Sequence, residues 1–580
     1  MSREIWIKKY LSQELIIISD KGKKVIKIIF FWVLMIAAAL LATWPFLNSY
    51  YVATDFNSDA FYHIPRFIAL SQEILHWNFP ININAAAANG YGRPEGLFYP
   101  QFFLMLPAAL VAWGMNALIS FKFYIFLLNL ATLLITYWVG KKMFKNSVYA
   151  WVMALLFTFA PYRIGDITHR VALGEFQAFT FMPLFIYSIY DILYVKHDDG
   201  TKAAWWWLPL SFFGILNSHD LSAEFMIVAL VIFLLLNCVR IIKDKSILMN
   251  LVKAGVASVL VALSYFLPLL EQVAVQAYNW PQHWDSMPDM VSTLNLLFSN
   301  KIDSFAYFWG KGALLVLPLI FLVIPRWDKK ISRRFIWHSL GIGLLFLILT
   351  TNLVNWTTLY NILPYENFPY RLNIVFVALI IFAVTYAFSN LARGNKIVQG
   401  LLIVVVVLNC YATMKPLEYK NRGTDNYYWS VQNALSFARN PNYNTDYFPA
   451  NFNPNDAIVD FSAHVNGQDL EVSVSGKKHI VDFTSDTSFA MQMPVVYYKG
   501  YVAYTTDGKM KLPLKLTEDG GAHVVVSGDK ALGEVVVAYK ATFLQISSKI
   551  VSYAAILFLF WLAFFEKGEK RWKKLIRRTA

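Results

Sequence analysis

Long apolar runs set the outer limits on how this chain can fold. Twelve recur along its 580 residues, at about 26–48, 121–140, 147–162, 176–194, 203–217, 221–242, 249–270, 309–325, 335–352, 371–391, 397–414 and 545–565. A helix needs roughly 20 apolar residues to cross the hydrocarbon of a bilayer, and fewer where neighbouring helices enclose it. Only 15% of the residues are charged and 57% are hydrophobic, whereas a soluble chain carries about 25% charged residues. The expected class is a polytopic α-helical membrane protein. The first run follows a lengthy basic leader and reaches Trp44-Pro45 with no small-residue cleavage site, so it reads as a retained span and not as a signal peptide. Cys238 and Cys410 both sit in apolar runs, which argues against a disulfide framework and against a cysteine metal site.

A formal charge of +14 would point to nucleic acid if the basic residues made one patch. They fall instead in short clusters between runs: "KGKK" before the first, "KKMFK" after the second, Lys196 and Lys202 after the fourth and "RIIKDK" after the sixth. "RWDKKISRR" follows the eighth, "RGNK" the tenth and "EKGEKRWKKLIRR" the last. With the spans alternating, every cluster lands on one side, which the positive-inside rule makes cytoplasmic. Both termini are then inside, and no nucleic-acid partner is expected.

That count leaves residues 99–119, "YPQFFLMLPAALVAWGMNALI", as an amphipathic or re-entrant segment on the outer face. Pro100, Pro107 and Gly114 make it a poor spanning helix. Residues 415–544 change character. "LEVSVSG", "HVVVSG" and "EVVVAY" alternate apolar and polar positions between "DG", "SG" and "EDGG", the pattern of a small β-sandwich. The expected layout is a basic leader (1–25), a membrane domain (26–414) with a large first outer loop (49–120), an extracytoplasmic β-rich domain (415–544), a last span (545–565) and a basic tail (566–580).

This topology sorts the ionisable residues by side. Asp55, Asp59, His63 and Arg66 follow the first span, in "DFNSDAFYHIPR". "PYRIGDITHRVALGE" supplies Arg163, Asp166, His169, Arg170 and Glu175, and "NSHD" supplies His219 and Asp220. Glu271, Trp280, His283, Trp284 and Asp285 follow the seventh span, and Glu366 and Arg371 lie at the head of the tenth. All are outside. An ionisable group in hydrocarbon costs about 2.5–3.5 kcal/mol on insertion scales, so such groups face a cavity or a partner. Any one of them reads equally as an interfacial ion pair; the one-sided set is what points to a polar cavity.

Asp59, His63 and Arg66 have the i, i+4, i+7 spacing of one helical face, although Pro65 allows a helix that starts only near that residue. With a depressed pKa, Asp59 would be ionised and fit to accept a proton or bind a metal. For a divalent metal the spacing alone does not supply enough oxygen ligands. Arg163, Arg170 and Arg371 suit a phosphate, whose oxygens a guanidinium grips through two parallel hydrogen bonds; snorkelling to the interface is the plainer alternative. Asp166 and Arg170 read as an i, i+4 pair.

The order of these pieces, "D…H..R", "GYGRPEGLFYP", "APYRIGDITHRVALGE" and "FPYRLN", resembles the bacterial membrane proteins labelled 6-pyruvoyl-tetrahydropterin synthase-related and their YfhO-like relatives. The tail "PVVYYKGYVAYTTDGK" leading into a last span is similar to the YfhO-like outer β-domain. What the resemblance implies is a GT-C-like fold of about 12 transmembrane helices with an extracytoplasmic β-sandwich before the last. It implies a glycosyltransferase that takes sugar from a polyprenyl-phosphate donor in the bacterial cell membrane. Asp59 would be its general base, assisted by Asp55. Arg163, Arg170 and Arg371 would hold the lipid phosphate. His63, Arg66, Asp166, His169, Glu175 and His219 would line the substrate site. The acceptor would be a cell-envelope glycan or a teichoic-acid-type polymer. The first loop lacks an uninterrupted Asp-x-Asp pair, which leaves the choice of base and the need for a metal open. A lipid or glycan transporter ranks second, since charges at one face without paired halves fit it less well. A non-catalytic scaffold ranks third.

Overall fold

The computed structural model describes residues 20–47, 59–85, 87–197, 203–280, 317–322, 331–359, 368–420, 446–455, 461–506, 510–516, 523–531 and 533–579. Asp55, His283, Trp284, Asp285 and Glu366 lie outside them, as does most of the run at 309–325.

Seven helical stretches among the described residues are long and apolar enough to cross a membrane: Gly22–Ala42, Ala117–Phe144, Leu173–Leu193, Lys245–Val273, Pro369–Leu391, Lys396–Met414 and Phe543–Ala563. An eighth is a pair, Ser147–Thr158 and Pro161–Arg170, bent by 43°. The expected count of about 12 is not reached by helices of this length. Asp220–Leu236 and Arg333–Leu349 have 17 residues each, about 25 Å at 1.5 Å per residue and at the lower limit for a crossing. Trp207–Leu216 has only 10, about 15 Å, too short to cross alone. Residues 99–119 form no spanning helix either; they hold the eight-residue helix Met105–Ala112 and the start of the next span.

The helices used below are α1 (Asp20–Ala42), α2 (Ala60–Leu75), α3 (Met105–Ala112), α4 (Ala117–Phe144), α5 (Ser147–Thr158), α6 (Pro161–Gly165), α7 (Leu173–Phe179), α8 (Met182–Leu193), α9 (Trp207–Leu216), α10 (Asp220–Leu236), α11 (Lys245–Val273), α12 (Arg333–Leu349), α13 (Asn373–Leu391), α14 (Lys396–Lys420) and α15 (Phe543–Thr579). Lipid-exposed faces are apolar, as on α1, α11 and α14, where valines, isoleucines and leucines point outward. Helix α13 differs: it is enclosed along its whole apolar length and forms the axis of the bundle.

Ten strands, β1 (Ser462–Val465), β2 (Gln468–Glu471), β3 (Ser473–Ser475), β4 (Lys478–Asp482), β5 (Phe489–Val496), β6 (Tyr501–Thr505), β7 (Lys511–Leu512), β8 (Leu514–Leu516), β9 (His523–Gly528) and β10 (Glu534–Tyr539), make two antiparallel sheets. The orders are β2-β1-β5-β9-β8 and β3-β4-β10-β6-β7. Val465, Met491, Val524 and Val526 of one sheet share a core with Val481, Ala503, Val535 and Val537 of the other. The alternating stretch "LEVSVS" is not one strand. It changes sheets at buried Val472, with β2 in the first and β3 in the second.

The first loop is built into this β-domain. Tyr91, Leu97 and Phe98 belong to its core, and His479 Nε2 meets the Gly90 carbonyl at 2.8 Å. Gly90 has φ +92°, and a Cβ there would fall 2.6 Å from the Phe461 ring, so only glycine serves. Gln545, at the head of α15, ties the junction together. It accepts from Asn82 at 2.7 Å and Tyr539 at 2.9 Å, and donates to Glu271 at 2.7 Å. Glu271 is thereby a junction residue.

Candidate functional site

Helix α2 starts at Ala60 with Asp59 as its N-cap residue, and Pro65 sits inside it. The helix survives the proline because only one backbone hydrogen bond is lost, while Ile64, Phe67, Ile68 and Leu70 bury its inner face. That face packs with Phe121 of α4 and with Ile167, Val171 and Phe176. The first loop is thus pressed against the segment that joins α5 to α7.

This segment turns sharply. Pro161 opens α6, and a single π-type turn over Asp166–Arg170 ends with the Val171 N–H on the Asp166 carbonyl. Val171 is fully buried at φ +54°, a left-handed conformation that a β-branched residue adopts only under constraint. Such turns and strains gather at functional sites. Here they bring Arg170 and Glu175 face to face.

Three of the segments singled out in the sequence meet at this turn. Arg170 donates to Asp166 Oδ1 at 2.9 Å and to Glu175 Oε1 at 3.0 Å. Arg371 Nε lies 2.9 Å from the same Glu175 oxygen, and the Tyr162 hydroxyl donates to Glu175 Oε2 at 3.2 Å. Arg170 lies 4.9 Å from the centre of the Tyr370 ring, and Arg371 the same distance from Phe368. Asp59 joins through its backbone, whose N–H donates to the Arg170 carbonyl at 2.6 Å. Its carboxylate makes no capping hydrogen bond and is within electrostatic reach of Arg170, Arg371 and Glu175.

The expected depressed pKa of Asp59 is corrected. Burial raises it above its ordinary 3.8, against the pull of Arg170 and Arg371, and Glu175 adds to the rise. The reason is that Asp166 and Glu175 already take up much of the arginines' positive field, so desolvation wins.

His63 and Arg66 point inward from α2. Arg66 donates to the carbonyls of Pro100 at 2.7 Å and Tyr99 at 3.1 Å, with its guanidinium 4.6 Å from the Tyr99 ring centre. Among the described residues, its Nε and Nη1, like His63 Nδ1 and the Tyr62 hydroxyl, are buried without a hydrogen-bond partner. Burial, then Arg66 and His219, hold His63 well below its ordinary pKa, so it is neutral. His219 caps α10 and accepts the Ser222 N–H on Nδ1; burial lowers its pKa as well, leaving the proton on Nε2. His169 is buried with Nδ1 3.3 Å from the Thr168 hydroxyl.

Arg163 stands apart from the other two arginines. It is fully buried and spends Nη1 on Asn129 at 2.9 Å and the Thr158 carbonyl at 3.0 Å. Its Nη2 goes to Thr132 at 3.1 Å, and its guanidinium lies 4.0 Å from the centre of Phe176. It clamps α4 to the turn and does not join the Glu175 cluster. Among the described residues, no three His, Cys, Asp or Glu side chains converge as metal ligands; Asp166 Oδ1 and Glu175 Oε1 face guanidinium groups instead.

Sequence reasoning passed over four neighbours of the site. Tyr162 and Tyr370 are the middle residues of the two Pro-Tyr-Arg triplets, so the motif that carries the arginines carries these tyrosines as well. Tyr99 stacks on Arg66. At Gly174 an added Cβ would lie 2.6 Å from the Tyr99 hydroxyl and 2.9 Å from the Ser218 carbonyl.

No family model and no curated protein matches this chain. Two solved structures are similar in chain path. The arabinofuranosyltransferase AftD from Mycobacteria matches over 67% of this chain at 13% identity with a TM-score of 0.44. ArnT from Cupriavidus metallidurans, bound to undecaprenyl phosphate, matches over 70% of this chain and 74% of its own at 13% identity and a TM-score of 0.39. This chain spans 27% of AftD's length. At that level the likeness is a coarse one and says nothing about which residues act.

Proposed function

We propose that this protein is a membrane glycosyltransferase that moves a sugar from a polyprenyl-phosphate donor to a hydroxyl of a cell-envelope acceptor. The observation that carries the reading is the Asp59 carboxyl: it is unspent on capping, raised in pKa, and set beside Arg170 and Arg371. A base whose pKa lies nearer neutrality is the stronger proton acceptor once ionised. In the step, the acceptor oxygen bonds to the anomeric carbon as the bond from that carbon to the lipid phosphate oxygen breaks. The hydroxyl proton passes to Asp59, and the phosphate leaves as an anion. One attack from the opposite face inverts the centre.

Arg371, which meets Glu175 through Nε, takes the role of phosphate contact. Arg170, with both terminal nitrogens on carboxylates, is a positioning residue that holds Glu175 and the start of α2. Glu175 keeps the two guanidinium groups together against their mutual repulsion. Tyr99, His63 and Arg66 pack on one another near Asp59 and suit a sugar, which takes both hydrogen bonds and aromatic contact. The basic clusters support an orientation with both termini cytoplasmic, about twelve crossings and the site on the outer face. On that side the acceptor is a wall glycan or a teichoic-acid-type polymer.

The test is outer-surface glycan analysis of cells carrying Asp59→Asn beside the deletion and wild type, with the membrane level of each protein matched. Loss of the same sugar in Asp59→Asn and in the deletion supports the reading. Full restoration by Asp59→Asn removes Asp59 as the base, and unchanged glycans in the deletion turn attention to transport.

A further inference from the structure

The far end of α10 carries a second site of different character. Helix α10 runs 17 residues from Asp220, about 25 Å, to a cavity of about 900 Å³. Around it stand Arg240 and Lys243 from the short helix Cys238–Lys243 after α10, Lys245 at the start of α11, and Arg334 and His338 at the start of α12. Asp244 is the one acid in the lining, and its Oδ1 is engaged by the Ser246 and Ile247 N–H groups at 3.0 and 3.3 Å. None of the four permanent cations has an ion pair with a carboxylate among the described residues.

The floor is polar and fixed. Asn237 donates to the Tyr194 hydroxyl at 2.7 Å, and that hydroxyl meets His338 Nδ1 at 2.7 Å. The hydroxyl hydrogen therefore points to Nδ1, and Nε2 of the neutral ring carries a donor. The flank is apolar and open: Leu235, Leu236, Val239 and Ile242 are all exposed. Basic anchors at a span end ordinarily spread over the surface. Here they are drawn from three elements around one concavity, next to the apolar flank.

We propose that this cavity binds the phosphate of an anionic lipid, with the acyl chains along Leu236, Val239 and Ile242. Arginine and lysine supply the charge and His338 a further donor, while the apolar flank distinguishes a lipid from a free anion.

The test uses the full chain in detergent, exposed to an equimolar mixture of phosphatidylglycerol and phosphatidylcholine, with bound lipid read by native mass spectrometry. Wild type should retain phosphatidylglycerol selectively. The double variant Arg240→Gln/Arg334→Gln should retain it roughly thirtyfold less, the loss expected for two charge contacts near the surface. Arg240→Lys/Arg334→Lys should keep most of it, and Arg393→Gln, at another helix end, should change nothing. Equal retention of the two lipids, or equal loss in the lysine and glutamine pairs, overturns the proposal. Displacement of the lipid by millimolar inorganic phosphate would also overturn it, by showing a site for a free anion.

Discussion

The backbone N–H of Asp59 donates to the carbonyl of Arg170 across 2.6 Å, although 111 residues separate them in the chain. This bond joins the N-cap residue of the first-loop helix to the last residue of the π-type turn. It sets the carboxyl of Asp59 near the guanidinium groups that Glu175 gathers. Any movement of the turn is felt at Asp59, and the reverse.

Asp59→Asn should insert and fold normally yet lose sugar transfer by about 10²- to 10⁴-fold, the usual contribution of a general base. The measurement is transfer in membranes at matched protein level. Activity within a few-fold of wild type would rule out a proton-accepting role.

The raised pKa of Asp59 has two opposite consequences with pH. Transfer needs the ionised form, so its acid limb should lie above 3.8, the ordinary value for aspartate. Stability runs the other way. The folded state holds the proton more tightly than the unfolded state, so the contribution is full below the unfolded pKa and is lost as pH rises through the folded one. Asp59→Asn, which cannot ionise, should melt above wild type at neutral pH, with the gap closing towards pH 4. A gap that widens on acidification would mean that the pKa is depressed.

Arg371 and Arg170 should separate kinetically. Arg371→Gln removes a charged contact to phosphate worth about 1.5–3 kcal/mol, which predicts a rise in KM for the lipid donor of roughly 10- to 150-fold. Arg170→Gln strands Asp166 in a buried site and leaves Glu175 with only Arg371 and Tyr162, and should cost about 3–5 kcal/mol of stability. Equal losses of thermal stability in both variants would refute the division of roles.

Gly174→Ala should damage the protein, because the new methyl would press on the Ser218 carbonyl at 2.9 Å, which is backbone and cannot swing aside. Gly255→Ala, in α11 with nothing within 4 Å of the added carbon, should be neutral or stabilise by about 1 kcal/mol. Melting temperatures of the two variants decide the matter.

Much of the architecture is legible one segment at a time. The length of an apolar run fixes whether it can cross lipid, because each residue of helix adds a constant rise. The valine runs in "HVVVSG" and "EVVVAY" mark strands, because β-branched side chains favour the extended backbone, and both are strands in the fold, buried in runs instead of on alternate residues. That ionisable residues would gather where several segments meet is also legible, since lipid penalises them wherever else they might lie.

Which partner each residue takes is a different matter. Pro161-Tyr162-Arg163 and Pro369-Tyr370-Arg371 are the same tripeptide, and each opens a helical turn. Arg163 ends fully enclosed by Asn129, Thr132 and Thr158, while Arg371 reaches Glu175. Nothing local separates them: a guanidinium takes whichever acceptors are within its reach when it leaves water. Composition and periodicity thus determined a helical membrane protein with an appended β-domain and a cluster of ionisable residues. Only the tertiary packing decided which arginine became a strut and which faces the Asp59 carboxyl, because those acceptors arrive from segments far away in the chain.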